Sequence, residues 1–216
     1  MKTQDKFIDW ANLSKWQPLL QLTPLTGNDV IISGEYKLHV VLNKEEVHDY
    51  VPIKIRVPSL YYQDPPTIST NGHKIPQDIN YHINSNGTFC LAVPRVLKLF
   101  LMNQSTLRKY LETFLEPLLA KILIAQKHDL LKIDGDQMPH GEDGILEDIR
   151  RELGLKSINQ VKYAIPLIEM KAKLADQKLC PCGCGKRLKK CRLNIKIRQM
   201  RSLCPRNQFR TFIGLK

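Results

Sequence analysis

The centre of the chain reads Asn80-Tyr81-His82-Ile83-Asn84-Ser85-Asn86-Gly87-Thr88-Phe89-Cys90-Leu91. Cys90 is the only cysteine among the first 179 residues. It follows Ser85-Asn86-Gly87, a strong turn sequence in which Asn and Gly tolerate a positive φ. His82 is close enough in sequence for the same loop to fold back onto Cys90, and a reactive thiol needs such a neighbouring donor or cation. The competing interpretation is that Cys90 is a small buried hydrophobic residue.

Two motifs in this part of the chain resemble those of the ubiquitin-conjugating enzyme family. Tyr61-Tyr62-Gln63-Asp64-Pro65-Pro66 is similar to the family's Tyr-Pro-x-x-Pro-Pro, with Tyr62 in place of the first proline. Asn86-Gly87-Thr88-Phe89-Cys90-Leu91 is similar to its Asn-Gly-x-Ile-Cys-Leu around the catalytic cysteine, with Phe89 for Ile. The resemblance covers about residues 28 to 125, and it is closer to divergent bacterial members than to eukaryotic ones.

The family's His-Pro-Asn motif is where the sequence departs. Counting back from Cys90 without a gap, Asn80-Tyr81-His82 occupies the motif and His82 stands in place of its asparagine. With a two-residue gap, His82-Ile83-Asn84 fits instead and Asn84 takes that place. The ungapped alignment is preferred, so His82 is the first candidate for the donor to the oxyanion and Asn84 is the alternative.

The resemblance implies an α+β, ubiquitin-conjugating-like fold with an N-terminal helix, an antiparallel β-meander, an active-site loop and C-terminal helices. It also implies an enzyme, in which Cys90 takes a ubiquitin-like protein as a thioester from an activating (adenylating) enzyme and passes it to an amine of a target protein. Similar bacterial conjugation operons serve antiphage defence. A nearby imidazole would also lower the pKa of Cys90.

Two rival hypotheses keep the same fold. In the first, the chain is a non-catalytic adaptor with Cys90 buried, which the degraded His-Pro-Asn motif favours. In the second, the function lies in the C-terminal tail, as a zinc-dependent nucleic-acid-binding protein. A cysteine peptidase using Cys90 and His82 is the least favoured, because no third residue is found to orient the histidine.

Hydrophobic periodicity predicts the secondary structure around this loop. Residues 1–20 predict a short amphipathic helix broken near Pro18, and residues 28–70 predict an antiparallel meander with a break at Ser33-Gly34. A charged turn is expected from Asn43 to Asp49. Pro52 indicates an edge position or the beginning of a strand.

The second half of the chain has the pattern of helices. A long apolar stripe begins after Ser105, a candidate N-cap, and Pro117 should kink or restart this helix at Glu116. Residues 142–153 predict a helix closed by Gly154. Ser157 is expected to cap the next helix.

Composition and charge divide the 216 residues. With 43% hydrophobic and 25% charged residues, no signal-peptide run and no membrane-spanning stretch, the sequence predicts a globular cytoplasmic protein that does not enter a membrane. The net charge of +12 is concentrated in residues 171–216, where fourteen Lys or Arg face one acid, Asp176. We expect a ubiquitin-conjugating-like domain over 1–132, a helical extension over 133–175 and a basic zinc-binding module over 176–216.

The other five cysteines lie in this tail, which favours metal binding over disulfides in a chain without a secretion signal. The segment Cys180-Pro181-Cys182-Gly183-Cys184-Gly185-Lys186-Arg187-Leu188-Lys189-Lys190-Cys191 resembles the zinc (SEC-C type) motif at the SecA carboxyl terminus. A structural zinc takes four N or S ligands. Arg192 occupies the motif's fourth-ligand position, so we expect Cys184 as the substitute beside Cys180, Cys182 and Cys191, with Cys204 as second choice.

The basic residues of the tail allow two partners. One is an acidic protein surface, which the sequence slightly favours. The other is a weak nucleic-acid contact through phosphates, although only Phe209 and Phe212 are available to stack on bases.

Overall fold

The computed structural model describes residues 3–23, 28–70, 74–103, 105–133 and 139–215 of an α+β protein. The chain divides into two compact units. The first consists of Met1–Ala92 and Val96–Asp136, and the second of Val93–Arg95 and Gln137–Lys216. Among the helices of the described ranges, none is both long enough and apolar enough to span a membrane.

The N-terminal region forms two short helices rather than the single helix expected before Pro18. Helix α1 is Thr3–Ile8 and helix α2 is Trp10–Trp16. Asp9, between them, has φ 45° and ψ 58°. This left-handed conformation is incompatible with a continuous right-handed helix, so the chain breaks at Asp9 as well as before Pro18.

A four-stranded antiparallel sheet follows, with strand order β1-β2-β3-β4. Its strands are β1 Leu20–Thr23, β2 Val30–Leu42, β3 Glu45–Val57 and β4 Thr67–Ser69. The meander is therefore confirmed, but strand β1 was not predicted and β2 runs unbroken through Ser33-Gly34. The turn between β2 and β3 is only Asn43-Lys44, both with positive φ, as a two-residue hairpin turn requires.

Two residues, Pro52 and Gln17, lie at the edges of the sheet. Pro52 pairs with Glu35 on β2, whereas β4 pairs only with residues 54–56 of β3. Pro52 therefore lies on a stretch that β4 does not reach, in agreement with the predicted edge position. On the other side, the Gln17 side chain accepts from the backbone N–H of Lys37 at 2.9 Å and donates to its carbonyl oxygen at 3.0 Å, which continues the ladder beyond β1.

Further helical segments follow the Cys90 loop in the chain. Helix α3 is Pro94–Met102, α4 is Leu107–Tyr110, a π-helical segment covers Leu111–Leu115, and α5 is Glu116–Lys127. Helix α5 packs on β2 and β3. The buried core includes Tyr36, Leu38, Ile55, Leu115 and Leu119, all 0% exposed.

Two local features of these helices follow from their sequence. The N-cap is Thr106, whose hydroxyl accepts from the Lys109 N–H at 3.3 Å, and not Ser105 as expected. The predicted disturbance at Pro117 is present, because α5 restarts at Glu116 after the π-helical segment. Proline cannot donate to the carbonyl four residues earlier, and the wider π turns accommodate the mismatch.

The second unit is helical. Its helices are α6 Gly141–Leu153, α7 Ile158–Glu169, α8 Ala172–Ala175, α9 Leu193–Ser202 and α10 Phe209–Ile213. Gly154 ends α6 with φ 67°, and Ser157 and Gln160 form a capping box on α7, both at the predicted positions. These helices and the cysteine-rich segment share one core. The charge and cysteine content change at about residue 176, but the helices before this position and the cysteine-rich segment after it pack into the same core.

Val93–Arg95 belongs to this second unit because of a buried ion pair. The Arg95 guanidinium donates to both carboxylate oxygens of Asp148, at 2.6 and 2.9 Å, and to Glu152 at 3.1 Å. Its side chain is 8% exposed. A buried guanidinium needs such paired acceptors to offset its desolvation.

We expect Gly34→Ala to destabilise the first unit by about 3 kcal/mol or more. Gly34 has φ 148°, and a Cβ there would lie 2.1 Å from the backbone carbonyl oxygen of Leu19. Urea unfolding followed by the fluorescence of Trp10 and Trp16, both in this unit, measures the change.

Gly87→Ala is the matched control. Its φ is also positive, 77°, but the nearest heavy atom to an added Cβ would be the Thr70 carbonyl oxygen at 3.3 Å, so only the strain of about 1–2 kcal/mol remains. Equal losses for the two variants would contradict a steric role for Gly34.

Candidate functional site

The loop that carries Cys90 is attached to the sheet through β4. Thr88 bridges Ser69, and the Phe89 N–H donates to the carbonyl oxygen of Ile68 at 2.8 Å. The side chain of Phe89 is 6% exposed and belongs to the core. Cys90 is therefore the next residue after a segment held by both backbone pairing and burial.

The predicted turn at Ser85-Asn86-Gly87 is confirmed. The Gly87 N–H donates to the Asn84 carbonyl, and the Asn84 N–H donates to the Thr88 carbonyl, each at 2.8 Å. Beyond the turn, Ile83 bridges Phe89, and the Cys90 N–H donates to the His82 carbonyl at 2.7 Å. The chain thus folds into a small hairpin that places residues 82 and 90 side by side.

His82 and Cys90 are brought together by this hairpin. A ring nitrogen of His82 and the Cys90 Sγ lie within 4.8 Å of each other. His82 follows a short 3₁₀ turn, Ile79–Tyr81, and has φ 57° and ψ 36°. Both residues are partly exposed. The structure therefore places an imidazole within reach of the only thiol in the described part of the first unit.

Asn84, the alternative donor, is committed to the turn. Its Nδ2 donates to Thr88 Oγ1 at 3.0 Å, and its backbone groups close the turn described above. Thr88 Oγ1 in turn donates to Asn86 Oδ1 at 2.6 Å. The Asn84 side chain therefore stabilises the loop through local hydrogen bonds. Of the two candidate donors, His82 is the one that lies beside the Cys90 sulfur.

Burial raises the pKa of the Cys90 thiol above its ordinary value. The sequence predicts that a nearby imidazole lowers the pKa of Cys90, and that prediction is wrong. The cost of placing a thiolate in a partly buried, apolar environment is the dominant effect. At neutral pH Cys90 is therefore a protonated thiol, and its reaction requires removal of a proton.

The tyrosine- and proline-rich motif upstream has a packing role. Tyr61 stacks on Phe7 with ring centroids 4.2 Å apart. The carbonyl oxygen of Pro66 accepts from the buried hydroxyl of Tyr110 at 3.1 Å. These contacts fix the chain just before β4, and hence the strand on which the Cys90 loop rests.

One buried polar pair in this unit was not predicted from the sequence. The Tyr36 hydroxyl donates to Glu116 Oε1 at 2.9 Å, at the residue where the π-helical segment gives way to α5. Burial raises the pKa of Glu116. The available signal was a tyrosine at an inward strand position, since a buried hydroxyl needs a partner.

The second candidate site is the cysteine cluster of the second unit. The Sγ atoms of Cys180, Cys182, Cys184 and Cys191 all lie within 4.8 Å of one another. Two of the separations are short, 3.2 Å for Cys180–Cys182 and 3.7 Å for Cys182–Cys191. Four converging thiols are the ligand set of a tetrahedral structural zinc. The cluster can therefore hold a metal ion, and it is compatible with zinc.

The cluster is built on a backbone hairpin. Leu179 bridges Arg187, the Cys180 N–H donates to the Lys186 carbonyl at 2.9 Å, and the Leu188 N–H donates to the Lys178 carbonyl at 2.8 Å. The first three cysteines lie in the loop of this hairpin, and Cys191 follows the 3₁₀ turn Leu188–Lys190.

Cys184, rather than Cys204, completes the cluster. Cys204 is absent from this group in the described residues and is a partly buried residue against the core of the second unit. Hydrogen bonds from the Lys186 backbone and the Cys182 thiol lower the pKa of Cys184 to about 7, whereas burial raises those of Cys180 and Cys182. Metal binding would have to displace the protons of the buried pair.

Comparisons with known proteins identify no relative. Neither the protein-family models, nor the curated proteins, nor the solved structures contain a match to this chain.

Cobalt(II) titration should separate the two candidates for the fourth ligand. We expect the unsubstituted chain and Cys204→Ser to develop the same thiolate-to-cobalt absorption with one ion per chain. We expect Cys184→Ser to weaken binding by more than about 100-fold, because loss of a ligand exceeds the 10–100-fold effect of outer groups. The reverse order would assign the ligand to Cys204.

Cys90 should react with iodoacetamide more slowly than N-acetylcysteine at pH 7.5, because its raised pKa reduces the thiolate fraction. The rate should rise by close to tenfold from pH 7 to pH 8 and go on rising to pH 9. Mass spectrometry of the Cys90 peptide measures it. A plateau below pH 8 would show that the thiol is already ionised and would contradict the effect of burial.

Proposed function

We propose that the chain is a ubiquitin-conjugating-like enzyme that carries a ubiquitin-like protein as a thioester on Cys90. The observation that carries the proposal is the proximity of a His82 ring nitrogen to the Cys90 Sγ, within 4.8 Å, at the end of a hydrogen-bonded hairpin. The order of elements around it, from N-terminal helices through an antiparallel sheet to the cysteine loop and a long helix, supports the same assignment.

The loading step is an exchange between two sulfur atoms. The Cys90 sulfur attacks the carbonyl carbon of a thioester held by an activating enzyme, forming one C–S bond as the other breaks. The proton of the Cys90 thiol leaves, and the departing thiolate takes up a proton. Because one thioester replaces another, the exchange requires no nucleotide on this chain.

His82 serves both halves of this exchange. The raised pKa of Cys90 calls for a base to receive the proton. The protonated imidazole is then a donor to the oxyanion of the tetrahedral intermediate, where one such donor is worth about 3 kcal/mol. Transfer to a target amine repeats the sequence, with a C–N bond formed and the C–S bond of Cys90 broken.

In this proposal the cysteine cluster binds zinc and has a structural role. Cys180 is 5% exposed and packs with Leu188, which is 0% exposed, in the core of the second unit. A metal there would fix the hairpin to its helices, and small modules of this kind depend on the metal for folding. The proposed partners are a ubiquitin-like protein, an adenylating enzyme and a target protein, in the setting of a bacterial defence operon.

A non-catalytic adaptor is the second candidate, and one observation favours it. Burial raises the Cys90 pKa with no opposing contribution, which is the behaviour of a packed thiol rather than an activated one. The two candidates differ in whether Cys90 can accept an acyl group.

Acyl transfer can be tested with an activated donor that replaces the activating enzyme. The full chain is incubated with the mercaptoethanesulfonate thioester of a ubiquitin-like protein ending in Gly-Gly. We expect an adduct on Cys90 that dithiothreitol removes and that Cys90→Ala abolishes. His82→Ala should slow loading by about 100-fold, the cost of an oxyanion donor, whereas Asn84→Ala should retain loading as long as the loop remains folded.

Cys204→Ala is the control for this experiment, because it removes a partly exposed thiol outside both candidate sites. It should load as the unsubstituted chain does. Loading that persists in Cys90→Ala would refute the enzyme. No loading of the unsubstituted chain, with its fold intact, would support the adaptor.

A further inference from the structure

Eleven of the fourteen Lys and Arg side chains in residues 171–216 fall into two groups, and the exposed Lys171 and Lys173 belong to neither. One group is engaged inside the second unit, where it holds α9 and the C-terminal residues to neighbouring elements. Lys196 donates to the Glu152 carbonyl, Arg198 to Asp176, Arg201 to the Leu167 and Ile168 carbonyls, Arg206 to the Glu169 carbonyl, and Arg210 to the Glu169 carboxylate. These five side chains are structural.

The other group is exposed and concentrated on the segment 178–192, which we call the cysteine hairpin. It consists of Lys178, Lys186, Lys189, Lys190 and Arg192. Within the part of the chain that the structure describes, these five side chains form no hydrogen bond or ion pair. Arg187, on the same hairpin, donates only to the neutral side chain of Gln177 at 2.8 Å.

The backbone keeps these charges close together. Residues 178 and 188 are hydrogen-bonded, as are residues 180 and 186. The Sγ atoms of Cys184 and Cys191 lie within 4.8 Å of each other. The backbone at their sequence neighbours Lys186 and Lys190 is therefore also close together. Six like charges on so short a hairpin repel one another unless a counter-charge is present.

The metal site does not neutralise this charge. Zinc with four thiolates carries two negative charges, which leaves four of the six positive charges uncompensated. No Asp or Glu follows Asp176 in the sequence, and Asp176 is itself paired with Arg198 at 3.1 Å. Among the described residues, no carboxylate is paired with any of the six cations, so the cysteine hairpin presents a positively charged surface to other molecules.

The composition of the exposed surface decides which polyanion fits. A protein partner needs an apolar centre to its interface, yet the only large apolar side chain exposed on the hairpin is Leu179, at 61%. A phosphate backbone needs only positive charge. Residues 171–208 contain no aromatic side chain, so stacking on unpaired bases, the basis of single-strand binding, is absent.

We propose that the cysteine hairpin binds the phosphate backbone of duplex nucleic acid without reading its base sequence. Four of the five unpaired cations are lysines, which contact phosphate as point charges and lack the planar fork with which arginine reads guanine. This proposal differs from the slight preference of the sequence for an acidic protein. This proposal is independent of the chemistry at Cys90.

Fluorescence anisotropy of the zinc-loaded full chain tests it, with a labelled duplex of about 20 base pairs in a salt series from about 50 to 200 mM NaCl. Four to six phosphate contacts predict a slope of log affinity against log salt near −4 to −5, and hence a roughly 100-fold or greater loss of affinity across the series. Cys90→Ala should bind with the same affinity.

Two double variants of equal charge locate the surface. Lys189→Gln/Lys190→Gln removes two hairpin charges, whereas Lys156→Gln/Lys162→Gln removes two exposed, unpaired lysines elsewhere in the second unit. The hairpin variant should flatten the salt slope by about 1.8 and weaken binding at least about tenfold at low salt. The control variant should change the slope of log affinity against log salt by less than about 0.5. Unchanged cobalt(II) spectra check that both variants keep the cysteine cluster.

Several results would overturn the proposal. One is the absence of duplex binding at about 50 mM salt, and another is equal weakening in the two double variants, which would indicate net charge rather than the hairpin. Competition by polyglutamate as effective as that of duplex at equal charge would assign the surface to an acidic protein. Tighter binding of single strands than of duplex would exclude duplex backbone as the ligand.

Discussion

Antiparallel pairing between the Cys90 loop and β4 is the constraint on which the first site depends. The bridge between Ser69 and Thr88 and the hydrogen bond from Phe89 to Ile68 fix one arm of the loop to the sheet. Burial of Phe89 then sets which way the chain faces, because successive residues of an extended segment point to opposite sides. With Phe89 directed into the core, Cys90 points to the other side of the segment. The backbone hydrogen bond from Cys90 to His82 then holds residue 82 beside residue 90, so that the imidazole lies near the sulfur.

The cysteine cluster follows the same logic in a different unit. There too a short backbone hairpin, closed by the Leu179–Arg187 bridge, fixes side chains that are close in sequence. Leu188, an apolar residue on one arm of the hairpin, is fully buried in the helical core. Cys180, one of the four clustered cysteines, belongs to the same core. In both cases the reactive groups lie on an irregular loop that a rigid element holds in place, which is the common arrangement of functional residues on loops.

Local chemistry predicted much of this and non-local packing accounts for the rest. The Asn-Gly turn, the Gly154 C-cap and the Ser157 N-cap each depend on a few neighbouring residues, and each was predicted correctly. Strand β1 was missed because its four residues are too short a pattern to indicate a strand, and they become one only by pairing with β2. The spacing of the thiols predicted the metal cluster, whereas the pKa of Cys90 depends on its burial, which the local sequence does not specify. The catalytic role of the loop stays a prediction.

Burial of Cys90 bears differently on its two chemical states. Desolvation penalises the thiolate, because the charge loses its water, and this raises the pKa of the free thiol. A sulfur that carries an acyl group is neutral and incurs no such penalty. The same environment that disfavours the thiolate would therefore not disfavour a thioester on Cys90, and partial burial would limit the access of water to it. A slow-reacting free thiol is thus consistent with an acyl carrier, provided that a base such as His82 removes the proton only when the donor thioester is in place.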